Sequence, residues 1–383
     1  MPALSRIAID GGLLERAVES GEPQGFAAEA AEPLFSIVMP CYQVAAYLNA
    51  AIDAVQAQTC ADWELIVVDD ASPDGAGAIA AARAAEDERI RVVEHKANRG
   101  LSGARNTGLA HARGSYVWIP DPDDLYEPQL LDTARVAFEQ SDADLVVFGC
   151  VEEYYDAAGE LSGRNEVLPP AQGLFVDEAL HRMVLPLEES TLYGYAWNKV
   201  YKRSVLEGLR FVTVPLIEDV LFNVAVFDRI ERAAFVQAPL YRYAKRLAVN
   251  LTNRFVPEYY EVHRRRIEEL YRQQVRWGLD GPAARERLGS LFVRYIMSAL
   301  ERNCDARAHM DHADRVAWCR SLFQDELFLT LVPGAAARDS HVLDAGIRIV
   351  SMRSPQLACA LGRVIHIVRH EFGDRYARLK MLR

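Results

Sequence analysis

From Leu34 onward, short β-branched apolar runs alternate with longer segments whose apolar residues recur three or four positions apart. The run FSIVMP, closed by Pro40, is predicted to be a buried parallel strand. Residues 45–57 place Tyr47, Leu48, Ile52 and Val55 on one stripe and predict a helix. ELIVVDD predicts the next strand, and residues 74–86 an Ala-rich helix opened by the capping residues Ser72-Pro73-Asp74. RIRVVEH, SYVWIP and ADLVVFGCV read as further strands, separated by predicted helices over 102–112 and 128–139. Strand and helix alternating at this pace predict an α/β fold: a mostly parallel, Rossmann-like sheet flanked by helices, with right-handed crossovers.

The rhythm stops near Val151. Residues 152–173 read as a hairpin or loop region and 176–184 as a helix. From Pro257 the chain is mostly helical and Arg-rich, punctuated by Gly281-Pro282, Pro333 and Pro355. Texture therefore divides the chain into an Ala/Gly/Glu-rich extension (1–33, with a short helix at 13–18), two α/β segments (34–150 and 151–254) and a helical C-terminal region (255–383).

The formal net charge of −11 argues against a general nucleic-acid binder, whose footprint would be basic. The charge is uneven: residues 348–383 carry eight Lys/Arg against Glu371 and Asp374. Such a tail suits anionic lipid or a polyanionic acceptor, or is simply a solvated helix. Six scattered cysteines without C-x-x-C spacing read as free thiols in a reducing compartment. No apolar run approaches about 20 residues, and the N-terminus has no apolar leader. The expectation is a cytoplasmic protein, with peripheral contact to the inner membrane face or self-association assigned to the C-terminal helices.

In open parallel sheets, ligands bind beyond the carboxyl ends of the strands. Two strands here end in acids: VVDD gives Asp69 and Asp70, and WIPDPDD gives Asp121, Asp123 and Asp124. Carboxylates gathered at one edge repel unless a divalent cation sits among them. Mg²⁺ or Mn²⁺ held by one or two carboxylates completes its shell with substrate phosphate oxygens. The plainer alternative is that these acids cap helices and tighten turns.

FSIVMPCYQ, AQTCADWELIVVDDASPDG and NRGLSGARNTGLAHARGSYVWIPDPDDLYEP, spread over residues 35–131, resemble the nucleotide-binding half of the inverting family 2 glycosyltransferases. One departure is Gln43, where Asn is usual. The resemblance implies a GT-A fold, with 34–150 binding the nucleotide sugar and 151–254 the acceptor. By resemblance Pro40 and Tyr42 contact the nucleoside, and Asp70 holds the base or ribose. Asp121, Asp123 and Asp124 fall on the metal motif that anchors the donor diphosphate through Mn²⁺ or Mg²⁺. Gly100, Gly103 and Gly108 are expected to let a helix pack closely near the nucleotide, with Arg105 and Asn106 facing the site or its surroundings.

Inversion needs a base opposite the leaving diphosphate. LIEDVLFN supplies Glu218 and Asp219 at the start of a helix, where neighbouring side chains diverge. The family's E-D pair makes Asp219 the expected base and Glu218 its support; an acidic helix start favoured by the macrodipole is the alternative. YAWNKVYKRSVL resembles a family segment in which Trp197 would stack on a sugar, Asn198 bind a hydroxyl and Lys199 neutralise phosphate or pair with an acid. PLYRYAKRLAVNLT (239–252) matches the family's diphosphate-closing loop poorly, with Ala244 in place of Arg; Arg242 and Arg246 are the substitutes. The expected partners are a nucleotide-diphosphate sugar, UDP by default, and a glycan, lipid-linked or polymer acceptor. Two rival readings remain: a noncatalytic nucleotide-sugar-binding or scaffold protein, and a nucleotidyltransferase. The latter, like a Rossmann dehydrogenase, expects a glycine-rich turn where this chain has MPCYQVAAYL.

Overall fold

The computed structural model describes residues 32–156, 158–246, 255–337 and 340–371, with backbone alone for 370 and 371. The extension expected at 1–33, its short helix included, lies outside them but for its last two residues. So do residues 247–252 of the Tyr/Arg-rich stretch and the end of the basic tail, 372–383.

The alternating segments fold as predicted: β1 (Phe35–Cys41), α1 (Ala45–Gln56), β2 (Trp63–Asp69), α2 (Ala76–Glu86), β3 (Ile90–Glu94), α3 (Gly100–His111) and β4 (Tyr116–Trp118). A two-residue β5 (Leu125–Tyr126), α4 (Leu130–Ser141) and a long β6 (Leu145–Tyr155) follow. Every residue of β1 is buried, which is why it carries an unbroken apolar run rather than an alternating one. β1 pairs in parallel with β2 and with β4, so their carboxyl ends share one edge. The register sets Cys41 beside Asp69, and the chain leaves both strands there side by side.

The middle of the chain holds more strand than its texture announced. β7 (Leu161–Val167) forms the expected hairpin with β6, and β8 (Gly173–Val176) precedes α5 (Glu178–Glu189). β9 (Lys199–Lys202) enters antiparallel between β4 and β6, pairing Trp118 with Val200 and Val146 with Val200. Because β9 runs backwards, its first residue lies at the edge where β4 ends. After α6 (Glu218–Phe227), β10 (Arg232–Arg246) lies parallel to β6, with register shifts on either side of Pro239. A proline cannot donate to the ladder and fits at such a bulge. The sheet order is β3-β2-β1-β4-β9-β6-β10-β5, with β7 on β6 and β8 on β10.

The helical region comprises α7 (Tyr259–Arg276), α8 (Pro282–Arg302), α9 (His312–Leu322), α10 (Glu326–Leu331), α11 (His341–Ser351) and α12 (Pro355–Glu371). Leu288, Phe292, Val293 and Ile296 of α8 are buried and form the centre on which the neighbouring helices pack. No helix among the described residues is long and apolar enough to cross a membrane.

Candidate active site

Helix α3 organises the site. At its start, the Asp70 carboxylate accepts the backbone N–H groups of Arg99 and Gly100, each at 2.8 Å. His95 Nδ1 lies 2.6 Å from the same carboxylate, and His95 Nε2 lies 2.9 Å from Thr107 Oγ1 farther along the helix. Asp70 therefore stabilises the positive end of α3 from the end of β2. Eight residues into α3, Gly108 lies against β1: a Cβ there would meet Val38 Cγ1 at 2.2 Å. The glycine stretch thus serves close packing at this position, as expected from the sequence.

The seated helix delivers Arg105, which is 1 % exposed, into a nest of acids. One terminal nitrogen, Nη2, donates to Asp121 Oδ1 at 3.0 Å. The other, Nη1, pairs with Asp219 Oδ1 and lies 4.0 Å from Glu218 Oε1. Asn106 pins the backbone of Phe211 from both sides, at 2.8 Å each way, and the Phe211 ring lies 5.1 Å under the Arg105 guanidinium. One buried guanidinium thus joins the acid that follows β4 to the acidic pair that opens α6.

Glu218 and Asp219 sit in the first turn of α6, where acids are favoured by the helix dipole. Leu216, two residues earlier, adopts φ 66°, a left-handed backbone that sets the direction of the helix. The two carboxylates diverge as helix geometry requires. Asp219 Oδ2 accepts the Ala196 N–H at 3.1 Å while Oδ1 faces Arg105. Glu218 makes a long contact to Arg105, and burial, reinforced by the charge on Asp219, pushes its carboxyl up to about 7.

The loop after β4 is held from behind. Tyr241 on β10 donates its hydroxyl proton to Asp124 Oδ2 at 2.8 Å and accepts the Asp121 N–H at 3.1 Å. Ala244 N–H occupies the other Asp124 oxygen at 2.8 Å, and Tyr126 donates to the Asp121 carbonyl. Arg246 donates to the Asp123 carbonyl at 2.8 Å and covers its carboxylate at 3.4 Å, lying over the Tyr47 ring at 4.2 Å. Arg242 goes elsewhere: it pairs with Glu153 beside a cavity of about 270 Å³ lined by Glu127, Val151 and Arg164, which shares no residue with the acidic nest.

The donor set suits a divalent cation in part. Asp121 and Asp123 keep 27 % and 38 % of their side chains exposed, whereas Asp124 is buried with both oxygens bonded. Burial pushes Asp121 up to about 6, opposed by Arg105 and reinforced by Asp123 and Asp219. A cluster so short of positive charge is one that a cation would relieve. Among the described residues, no three acids, histidines or cysteines form a ready-made cage. The arrangement fits a cation held by one or two carboxylates with its shell completed by substrate oxygens. In that arrangement Asp124 braces the loop.

Pro40 is buried at the end of β1, and Tyr42 just beyond is 42 % exposed at the open edge. The Trp197-Asn198-Lys199 stretch is placed differently from its expected ligand contacts. All three are buried, at 1 %, 0 % and 0 % exposure. Trp197 stacks on Tyr241 at 4.2 Å, and its carbonyl accepts Trp118 Nε1. Asn198 Nδ2 donates to the carbonyls of Leu192 and Phe148. Lys199 Nζ is ringed by the carbonyls of Leu192, Tyr193 and Tyr195 and by Asn198 Oδ1, at 2.6–3.1 Å. These side chains form the floor under Asp219 and Tyr241. Two contributors were missed in the sequence. Tyr241 sits in a stretch whose motif match is poor. Asn223 ties α6 to the Tyr193 and Tyr195 carbonyls, and its position one turn beyond Asp219 was the available signal.

Residues 36–209 match the family model described as Glycosyl transferase family 2. The chain is 33 % identical over 217 residues to EpsJ of Bacillus subtilis (strain 168), described as an uncharacterized glycosyltransferase; the match covers 55 % of this chain and 61 % of EpsJ. It is 25 % identical over 271 residues to the glycosyltransferase GlyG of Streptococcus pneumoniae serotype 4, covering 68 % of this chain and 87 % of that one. The chain thus spans less than two thirds of EpsJ. Among solved structures, S. aureus TarS 1-349 in complex with UDP-GlcNAc superposes with a TM-score of 0.56 at 17 % identity, covering 88 % of this chain and 92 % of that one. That likeness carries the fold, which is GT-A.

Proposed function

Since residues 36–209 belong to glycosyl transferase family 2, we propose that this chain is an inverting, metal-dependent glycosyltransferase acting inside the cell. It moves a sugar from a nucleoside diphosphate onto a hydroxyl of a glycan, a lipid-linked intermediate or a cell-wall polymer. Uridine diphosphate is the preferred carrier, the nucleotide that TarS holds in its complex.

The observation that carries this reading is the position of Arg105 between Asp121 and Asp219. A single-displacement transfer needs the leaving diphosphate and the proton acceptor on opposite sides of the anomeric carbon. Asp121 and Asp123 stand on the donor side, and Asp219 on the acceptor side. Mn²⁺ or Mg²⁺ bound at the donor side would supply Lewis-acid stabilisation of the departing diphosphate. Tyr42 offers a ring to the nucleoside, with Pro40 two residues before it and Asp70 fixing the helix that frames the pocket. Arg246 lies where it can move from Asp123 onto phosphate oxygens. Asp219 takes the proton from the attacking hydroxyl as that oxygen bonds to the anomeric carbon. Each of its oxygens has a second lone pair beyond the one already engaged. Arg105 holds Asp219 in place through its pairing with Oδ1, and Glu218 supports it from the same turn.

The test is donor hydrolysis with UDP-, GDP- and dTDP-sugars in the presence of Mn²⁺ or Mg²⁺, beside Asp123→Ala. The expected result is metal-dependent release of one nucleotide, lost in the variant. No release from any donor, together with no metal-dependent nucleotide binding by calorimetry, would overturn the reading in favour of a scaffold protein.

A further inference from the structure

Helix α12 shows its apolar side to solvent. On a helical projection, Leu357, Ala360, Leu361, Val364, Ile367 and Val368 fall within one third of the circumference. Leu357, Val364, Ile367 and Val368 are 45 %, 57 %, 42 % and 41 % exposed, and Met352 just before the helix is 63 % exposed. The opposite side is fixed in place. Ala358 and Cys359 are buried, and a Cβ on Gly362 would meet the Leu300 carbonyl of α8 at 2.5 Å. Arg369 pairs with Glu301 at 2.6 Å. The helix cannot roll its apolar strip inward without losing these contacts.

A surface helix normally turns charge outward, so an apolar outer face marks an interaction surface. The strip is wholly aliphatic, and among the described residues the outer face offers none of the aromatic anchors that dominate protein–protein interfaces. Its surroundings are basic. Arg348 at the end of α11, Arg353 in the turn that follows and Arg363 on α12 are exposed; Arg348 pairs with Asp344 at 2.9 Å, and residues 348–383 hold eight Lys/Arg against two acids. Pairing with a second copy across this face would bring like charges together. An anionic lipid surface meets both features at once, apolar depth for the strip and negative headgroups for the arginines. From Leu357 to Val368 the strip is about 16 Å long, enough to lie in a headgroup layer and too short to span a bilayer.

We infer that the outward face of α12, with its flanking arginines, docks this protein on an anionic lipid surface. This inference rests on α12 and the residues beside it, and stands or falls independently of the proposed transferase activity.

The test is flotation of the full chain with phosphatidylcholine vesicles, with and without about 30 % phosphatidylglycerol, at about 0.1 M and 0.5 M salt. Binding is expected to the anionic vesicles, and to weaken with salt. The double variant Val364→Glu/Val368→Glu should lose at least about tenfold in binding, and Arg363→Glu about fivefold. All these side chains are exposed, so unchanged circular dichroism is the check on folding. Equal binding to neutral and anionic vesicles would overturn the electrostatic half of the inference. Absence of binding to either would overturn the whole, whether light scattering then shows a dimer that Val364→Glu dissociates or a monomer.

Discussion

The acids beyond β4 and the Trp197-Asn198-Lys199 stretch are separated by one strand position in the sheet, yet they are built on opposite principles. Asp121 and Asp123 are partly open and undersupplied with positive charge; burial raises both carboxyls, and the charges on Asp123 and Asp219 add to the rise at Asp121. Lys199 and Asn198 are closed off, and each polar group is bonded to a backbone carbonyl or to the other. A buried polar group without partners is costly, and the folded state tolerates it chiefly where a ligand will supply the partner. A saturated polar group has no such vacancy. The contrast separates residues arranged to receive something from residues arranged to hold the receiver still.

The contrast breaks first, and most visibly, at Asp123. Asp123→Ala should reduce donor turnover by about 10²–10³-fold, the equivalent of about 3–4 kcal/mol of transition-state stabilisation. Its unfolding free energy should stay within about 0.5 kcal/mol of the parent, because the side chain is partly exposed and its ion pair with Arg246 is long, at 3.4 Å. Lys199→Met should do the reverse. It strips three buried carbonyls and the Asn198 amide oxygen of their donor, which should cost about 3 kcal/mol or more in denaturant unfolding. The fraction that stays folded should bind UDP with parent affinity in calorimetry. A Lys199→Met protein of normal stability that no longer binds nucleotide would erase the distinction between the two regions.

How much of this was legible beforehand follows from the same distinction. The first half of the sheet was readable because its strands are buried on both faces and its helices are amphipathic, so period and composition agreed. β9 was not, because KVYK is four residues long and is made a strand only by β4 and β6 on either side. β10 was obscured by Pro239, which reads as a break and is absorbed as a bulge. The acids at the strand ends were visible as candidates, since sheet topology alone sends Asp70 and Asp121 to one edge. What no pattern encoded was partnership. Asp70 capping α3, Tyr241 bracing Asp124 and Arg105 spanning to α6 are contacts between residues about 30, 117 and 114 positions apart. Such pairs appear only once the chain is folded.

The smallest expected effect lies between the two regions, at Glu218. Its carboxyl is pushed up to about 7 from an ordinary 4.5, first by burial and then by Asp219. An acid whose folded pKa is raised binds more protons folded than unfolded across that interval. Stability therefore falls as pH rises from about 4.5 to about 7, and the loss is complete above 7. Glu218→Gln keeps the shape without the charge, so it should be more stable than the parent by about 1–2 kcal/mol at pH 8 and nearly equal to it at pH 5. Urea unfolding at the two pH values measures the difference directly. If the variant loses stability at pH 8 instead, Glu218 is a satisfied partner of Arg105 and belongs with the floor. If it gains stability while donor turnover falls, the uncompensated charge is retained for the reaction, and Glu218 joins Asp121 and Asp123 among the groups that wait for substrate.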